Sequence, residues 1–322
     1  MRGLPLFILR RLLHAIPLLV AVVVLNYALI ASTPGDPVTV LVGDFPAPPE
    51  YIAQVRHLYG LDRPVSVQVL RYVGRVLHGD LGYSFANRQP VLSLIGDRLV
   101  ATLELTGTAL GFAAISGVAL GILSARRAGG PLDRAVRAVA TTGYALPEFW
   151  VGQLLILAFA IWLGWLPSQG NHSVRGLPPG WAGFVESLRY LVLPAFALSL
   201  RYIALIARIT RSAMLEVLGA EFVLAARLRG ASERSVLLGH VLRNAAAPVI
   251  TVIGYNLGFI LAGSALIETV FGWPGIGRLL FDSIGSRDYP TMMGILLLVS
   301  ISVVLANLAT DIVHRLLDPR VR

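Results

Sequence analysis

The 322-residue chain contains no cysteine, and all 27 of its basic residues are arginine, so it contains no lysine either. Without cysteine there is no disulfide, no thiolate-held zinc and no iron–sulfur cluster, and the redox compartment stays open. Without lysine there is no GxxxxGK[ST] phosphate loop, so ATP hydrolysis of that kind must sit on another polypeptide. Charge is also scarce: 14% of residues are charged, 56% are hydrophobic, and the mean hydropathy is +0.72. A soluble domain cannot bury that much apolar surface, so the apolar runs must meet lipid. The six histidines, His14, His57, His78, His172, His240 and His314, include no i, i+4 pair and no HExxH. They offer no metal site and no support for a membrane metalloprotease, and no nucleophile and base for a hydrolase can be located.

Six apolar runs lie near residues 12–31, 99–125, 136–165, 188–209, 248–270 and 292–313. Each can cross a hydrocarbon core of about 30 Å, which takes roughly 20 helical residues. The first follows Arg10 and Arg11 but is too long for a signal-peptide core and lacks an A-x-A site, so it reads as an uncleaved anchor. Arginines orient the runs, because short basic loops stay cytoplasmic. With the N-terminus inside, the inner segments hold Arg2, Arg10 and Arg11, then Arg126, Arg127, Arg134 and Arg137, then Arg208, Arg211, Arg227, Arg229, Arg234 and Arg243, then Arg315, Arg320 and Arg322. The short outer loops hold only Arg175, Arg189, Arg278 and Arg287, and six more arginines fall in the long segment 32–98, which hardly counts toward the rule. Both termini are therefore expected in the cytoplasm. The net charge of +9 reports this bias toward the anionic inner leaflet, not nucleic-acid binding. The expected organisation is an anchor helix (1–31), an external segment (32–98), a transmembrane core (99–315) with a cytoplasmic loop at about 213–247, and a cytoplasmic tail (316–322).

That loop contains "EFVLAARLRGASERSVLLGHVLRNAAAPVI", residues 221–250. Leu218, Phe222, Ala225 and Ala226 recur at i, i+4, i+7 and i+8, an apolar stripe on a short helix whose other faces carry Glu221, Arg227 and Arg229. Gly230 stands where a helix stop with positive φ is wanted, and Ser232 followed by Glu233 can start a second helix. The segment reads as a helix–turn–helix bracket. Its apolar face suits either a groove on a soluble partner or the membrane surface.

"AARLRG", with His240, Leu242 and Pro248 after it, is similar to the EAA loop of ABC-importer permeases, the segment that contacts the ATP-hydrolysing subunits. Over nearly its full length the chain resembles the inner-membrane permeases of the dipeptide, oligopeptide and nickel importer family. The resemblance includes "YGLDRPVSVQVLRYVGRVLHGDLGYSF" (59–85), "RLVATLEL" (98–105), "ARITRSAMLEVL" (207–218), "ETVFGWPGIGRLL" (268–280), "RDYP" (287–290) and "LLDPRVR" (316–322). It departs from the general motif at Leu224, where a Glu would precede the two alanines, and at Arg243, where a Pro would stand; the acid is displaced to Glu221.

The resemblance implies an all-α integral membrane fold of the type I ABC-importer permease class: six transmembrane helices, both termini cytoplasmic, and an external segment between helices 1 and 2. It implies a bacterial inner-membrane subunit that is not an enzyme, forming half of a path for di- or oligopeptides delivered by an external substrate-binding protein. The implied partners are a second, homologous permease and two ABC ATPase subunits, with ATP and Mg on the ATPases and no cofactor on this chain. Related permeases serve nickel, glutathione or haem, so the substrate stays open. The residues it points to for coupling are Glu221, Phe222, Ala225, Ala226, Arg227, Gly230 and His240, with Gly230 for the turn and the alanines for close approach.

Charges within spans are costly and so mark candidate pathways. Arg201 either faces a watery cavity and meets a carboxylate, or snorkels to the headgroups. Glu148, just after Pro147, falls at a candidate helix break. Asn256 lines a path or bonds between helices. Glu104, Glu268 and Asp311 lie close to span ends, which reads as interfacial. Gly107 with Gly111, and Gly117 with Gly121, make two small-xxx-small pairs suited to close helix packing. "FGWPGIGRLLFDSI" (271–284) is either a gate-side helix or a plain connector, with Glu268, Phe271, Pro274, Gly275 and Gly277 as its candidate residues. The segment 32–98, with "FPAPPEY" (45–51) before an expected helix around 52–59, either docks the binding protein or caps the bundle. An autonomous carrier or channel is the rival class. It needs no cytosolic bracket, and the inverted repeat common in carriers is not evident.

Overall fold

The computed structural model describes residues 4–32, 48–59 and 62–317. The start of the Pro-rich stretch at 45–47 and the tail beyond residue 317 lie outside the described residues. Helices α1 (Leu4–Ser32), α2 (Pro49–Tyr59) and α3 (Val65–Leu77) lead to an antiparallel hairpin of β1 (Tyr83–Ser84) and β2 (Gln89–Pro90). Helix α4 (Val91–Arg126) follows at once, then α5 (Pro131–Ala145) and α6 (Glu148–Leu155), which runs into a π-helical stretch, Ile156–Trp162. The long α7 (Trp181–Leu218) precedes the short α8 (Glu221–Leu228). Helix α9 (Glu233–Ser235), a second π-helical stretch (Val236–Val241) and α10 (Leu242–Gly263) continue as one rod, followed by α11 (Ala265–Val270), α12 (Ile276–Gly285) and α13 (Tyr289–Leu317).

Among the described residues five stretches are long and apolar enough to cross a membrane: Pro5–Leu29, Val91–Arg126, Trp181–Leu218, Glu233–Gly258 and Tyr289–Arg315. The span expected over 136–165 is not one straight helix. α5 and α6 bend by 102° at their junction, and taken together as one broken span they make six. The cause is Pro147, which lacks an N–H and forces Leu146 out of the helical region to φ −75°, ψ 135°.

The described residues cluster into two compact units. The first draws on Met1–Val100 and Gly275–Val304. In it Val91, Leu94 and Ile95 pack with Ile276, Leu279 and Ile295, and Val23 and Tyr72 pack with Met293 and Leu297. Tyr27 meets Tyr72 edge-on at 5.9 Å. The second unit, Ala101–Pro274 with Leu305–Arg322, has two cores. One joins Leu105, Ala109 and Ala113 to Leu198, Ile206, Ile267, Phe271 and Trp273, and the other surrounds Met214 and Val223.

Lipid is as apolar as these side chains, so contact between spans depends on close packing and hydrogen bonds more than on expelling water. Gly117 and Gly121 supply that closeness between α4 and α7. A Cβ at Gly121 would stand 2.5 Å from Thr210 Cβ, and one at Gly117 would stand 2.8 Å from Ile206 Cβ. The other expected pair does not act this way among the described residues: a Cβ at Gly107 or Gly111 would meet nothing within 4 Å.

Candidate functional site

The bracket begins where α7 ends. Leu218 is the last residue of α7 and Phe222 belongs to α8, so the stripe read from Leu218 to Ala226 is divided between two helices. On α8, Val223 and Ala226 are buried against Met214, Val236, Leu237 and Val241, whereas Glu221, Phe222, Leu224, Ala225, Arg227 and Leu228 are exposed. Ala226 therefore anchors the bracket to its own chain, while Ala225 remains on the outward face. α8 stops in a double hydrogen bond: Gly230 N donates to Arg227 O at 2.9 Å and Ala231 N to Ala226 O at 3.2 Å. That closure needs a left-handed residue, and Gly230 holds φ +81°. Ser232 then caps the next helix, its hydroxyl accepting from Ser235 N at 3.3 Å. Arg227 Nε reaches Glu233 Oε1 at 2.9 Å and ties the two arms across the turn. His240 sits half-buried in the second π-helical stretch, where its carbonyl accepts from Asn244 Nδ2 at 2.7 Å.

Directly behind the bracket lies a polar node that the sequence reading missed. The Asp133 carboxylate, wholly buried, accepts from Arg211 Nε at 2.7 Å, Arg211 Nη2 at 2.9 Å, Ser124 Oγ at 2.5 Å and Gly129 N at 2.9 Å. Asp133 is the third residue of α5 and caps the turn leaving α4. Arg211 stands on α7 next to Ala213 and Met214, which pack against the bracket. Pro131 with Asp133 was a legible helix start, but nothing local announced a partner 78 residues away.

Glu148 follows the break, and its Oε1 lies 3.8 Å from Arg201 Nη1. Asn256, expected to line a path or bond between helices, donates to Val252 O of its own helix at 2.6 Å, the reach that its i−4 carbonyl offers. Glu268 is not interfacial: it is fully buried and accepts from Thr102 Oγ1 at 2.9 Å and Ser264 Oγ at 3.0 Å. Hydropathy places it near a span end, but two hydroxyls replace the water it gives up. Phe271 is buried and its carbonyl accepts from Gly170 N at 2.8 Å; Trp273 Nε1 donates to Ala101 O at 2.8 Å. Pro274 closes the second unit, while Gly275 and Gly277 begin α12 in the first.

In the first unit, buried Asp288 accepts from Ser84 Oγ, from Thr291 Oγ1 at 2.8 Å and from Phe85 N at 3.3 Å. This fastens the β1–β2 hairpin to the start of α13. Nearby in sequence, His57 Nδ1 lies 2.9 Å from Asp62 Oδ2 and holds that carboxyl below its ordinary range. Stretches that are separate motifs in the sequence thus meet as hydrogen-bonded pairs: Thr102 with Glu268, and Ser84 with Asp288.

Apolar rods long enough to span lipid, a capped bracket with an exposed apolar face, and ionisable groups seated at a broken span describe a membrane permease. Comparison with known proteins gives the family. Residues 117–322 match the family described as binding-protein-dependent transport system inner membrane component, residues 4–106 match its N-terminal counterpart, and the chain belongs to this family. It is 41% identical over 330 residues to the di/tripeptide transport system permease protein DppB of Pseudomonas aeruginosa (strain UCBPP-PA14), covering 98% of each chain. It is 39% identical over 316 residues to the glutathione transport system permease protein GsiC of Salmonella paratyphi A (strain ATCC 9150 / SARB42), again covering 98% of each. An inward-facing crystal form of the MetNI methionine ABC transporter shares the fold, with TM-score 0.57, 21% identity, and coverage of 70% of this chain and 97% of that one. The chain is thus an all-α integral membrane protein with the type I ABC-importer permease fold.

Proposed function

We propose that this permease forms half of a path for di- or oligopeptides handed to it by an external substrate-binding protein. Full-length identity of 41% to a di/tripeptide permease carries the reading, and the glutathione relative keeps a peptide-like cargo in view. The partners proposed are a second, homologous permease and two ABC ATPases that hold ATP and Mg, while this chain binds no cofactor. Both termini and the bracket lie in the cytoplasm of a bacterial inner membrane, as the arginine bias supports. The exposed face of α8, with Phe222, Leu224, Ala225 and Leu228, is what an ATPase would grip. Glu221 and Arg227 rim that face, and His240 sits in the arm behind it. The gate-side and docking roles of 271–284 and of the external segment remain part of this proposal.

Purifying the tagged chain from its native membrane in mild detergent tests the assembly. A second permease and P-loop ATPases should co-purify. A chain that emerges alone while still transporting would point to an autonomous carrier.

Gly230 gives a sharper test. A Cβ there would meet nothing within 4 Å, so only the φ of +81° opposes a side chain. Valine at such a backbone costs on the order of 1–3 kcal/mol and re-aims the bracket. Gly230→Val should abolish uptake while ATP hydrolysis by the assembled complex persists. Uptake at the wild-type rate would remove Gly230 from the coupling role.

A further inference from the structure

Two buried or half-buried ion pairs in the second unit differ in how they are made. Asp133 and Arg211 close on each other at 2.7 and 2.9 Å, the distances of a satisfied charge-assisted pair. Glu148 and Arg201 stand open at 3.8 Å, with Arg201 54% exposed and Glu148 16%. The Arg201 guanidinium and that of Arg208, two turns further along α7, each lie 5.4 Å from the ring centre of Tyr144 at the end of α5. Among the described residues no carboxylate pairs with Arg208. The cluster therefore holds two cations, one anion and one aromatic face, with an excess positive charge beside a broken span. Charge within a span is costly unless a cavity or a counter-ion relieves it, and Arg201 lies inside the apolar run at 188–209 with Arg208 at its inner end. Non-helical backbone, as at Leu146–Pro147, is tolerated there only where protein or water lines it.

We propose that Glu148 and Arg201 form a seat for the charged ends of the cargo. Glu148 takes the α-ammonium and Arg201 the α-carboxylate, while Tyr144 and Arg208 offer the carboxylate its next station along α7. Peptides differ in their side chains but share these two termini, so a path that serves many sequences has only the termini and the backbone to hold. The open pair then acts as a placeholder in which each group satisfies the other loosely until a zwitterion replaces it. This inference rests on the peptide-import reading.

The test uses the complete importer in proteoliposomes, with labelled alanyl-alanine supplied on binding protein that is titrated up to saturation. Arg201→Gln should cut the maximal uptake rate by about tenfold or more, the loss expected for one charged contact. The half-saturating concentration of loaded binding protein should be unchanged, and Arg201→Lys should recover much of the rate. The double variant Glu148→Gln with Arg201→Gln separates the explanations, because it removes the pair without stranding a charge. It should stay as slow as Arg201→Gln. Recovery to the wild-type rate would mean that the pair is only structural and would overturn the seat, as would wild-type uptake by Arg201→Gln. If the wild-type complex hydrolyses ATP in response to its binding protein yet takes up no dipeptide, the peptide reading itself falls, and this seat falls with it.

Discussion

Replacing Asp133 with alanine should destabilise the protein by about 3–5 kcal/mol, because it strands the Arg211 guanidinium in a largely buried site. Whole domains are stable by only about 5–15 kcal/mol, so much of the folded margin would go. The carboxylate also caps the turn leaving α4 through Gly129 N and satisfies Ser124, so four donor atoms, two of them on Arg211, lose their acceptor together. Arg211→Ala should cost a similar amount by leaving the buried carboxylate with Ser124, Gly129 and the looser Arg137 pair at 3.6 Å. The double variant Asp133→Leu with Arg211→Leu should regain most of the loss, since replacing both charges leaves neither unpaired. Thermal unfolding in detergent measures all three. Because Arg211 adjoins the core under the bracket, proteolysis of the 126–131 turn and of the bracket should accelerate in the single variants. A melting temperature within a degree or two of wild type for Asp133→Ala would show that the node carries no such weight.

What the sequence could and could not disclose follows from the range of each interaction. Spans are long, and hydropathy sums over about 20 residues, so four of them stand where the apolar runs lie, whereas the run at 248–270 is displaced: the stretch there is Glu233–Gly258, and its helix ends at Gly263. The same summation is blind to direction: hydropathy runs on through 136–165, and it was Pro147, just before Glu148, that marked the candidate break at which the span turns by 102°. The stop at Gly230 and the cap at Ser232 were legible because each is settled within a few residues. Which face of α8 looks outward was not legible, since the periodic stripe borrowed Leu218 from another helix and so placed Ala226 on the wrong side. Carboxylates were the hardest. Glu268 and Asp288 are buried by donors 166 and 204 residues away, and only the fold brings those donors near. Asp133 carried a local signal for a helix start and none for Arg211.

The second large effect is steric. Gly121→Val should force α4 and α7 apart, because its Cβ alone would lie 2.5 Å from Thr210 Cβ and 2.8 Å from the Ala207 carbonyl oxygen. A carbonyl on a helix axis cannot rotate away as a flexible side chain can, so the helices themselves must shift. Overpacking of a tight core costs about 1–3 kcal/mol and often more when backbone must move. Spans held mainly by packing have little else to hold them together once it is lost. The loss should appear as a lower melting temperature in detergent and faster proteolysis. Gly111→Ala is the contrast: its Cβ meets nothing within 4 Å, and alanine is favoured over glycine in a helix by about 1 kcal/mol, so stability should hold or rise. A second contrast isolates the contact. Gly121→Ala should be destabilising by itself, and adding Thr210→Gly removes the clashing Thr210 Cβ and Cγ2 while leaving the Ala207 oxygen, so the pair should recover in part. Recovery beyond wild type, or a Gly121→Val protein as stable as the parent, would mean that α4 and α7 do not approach this closely.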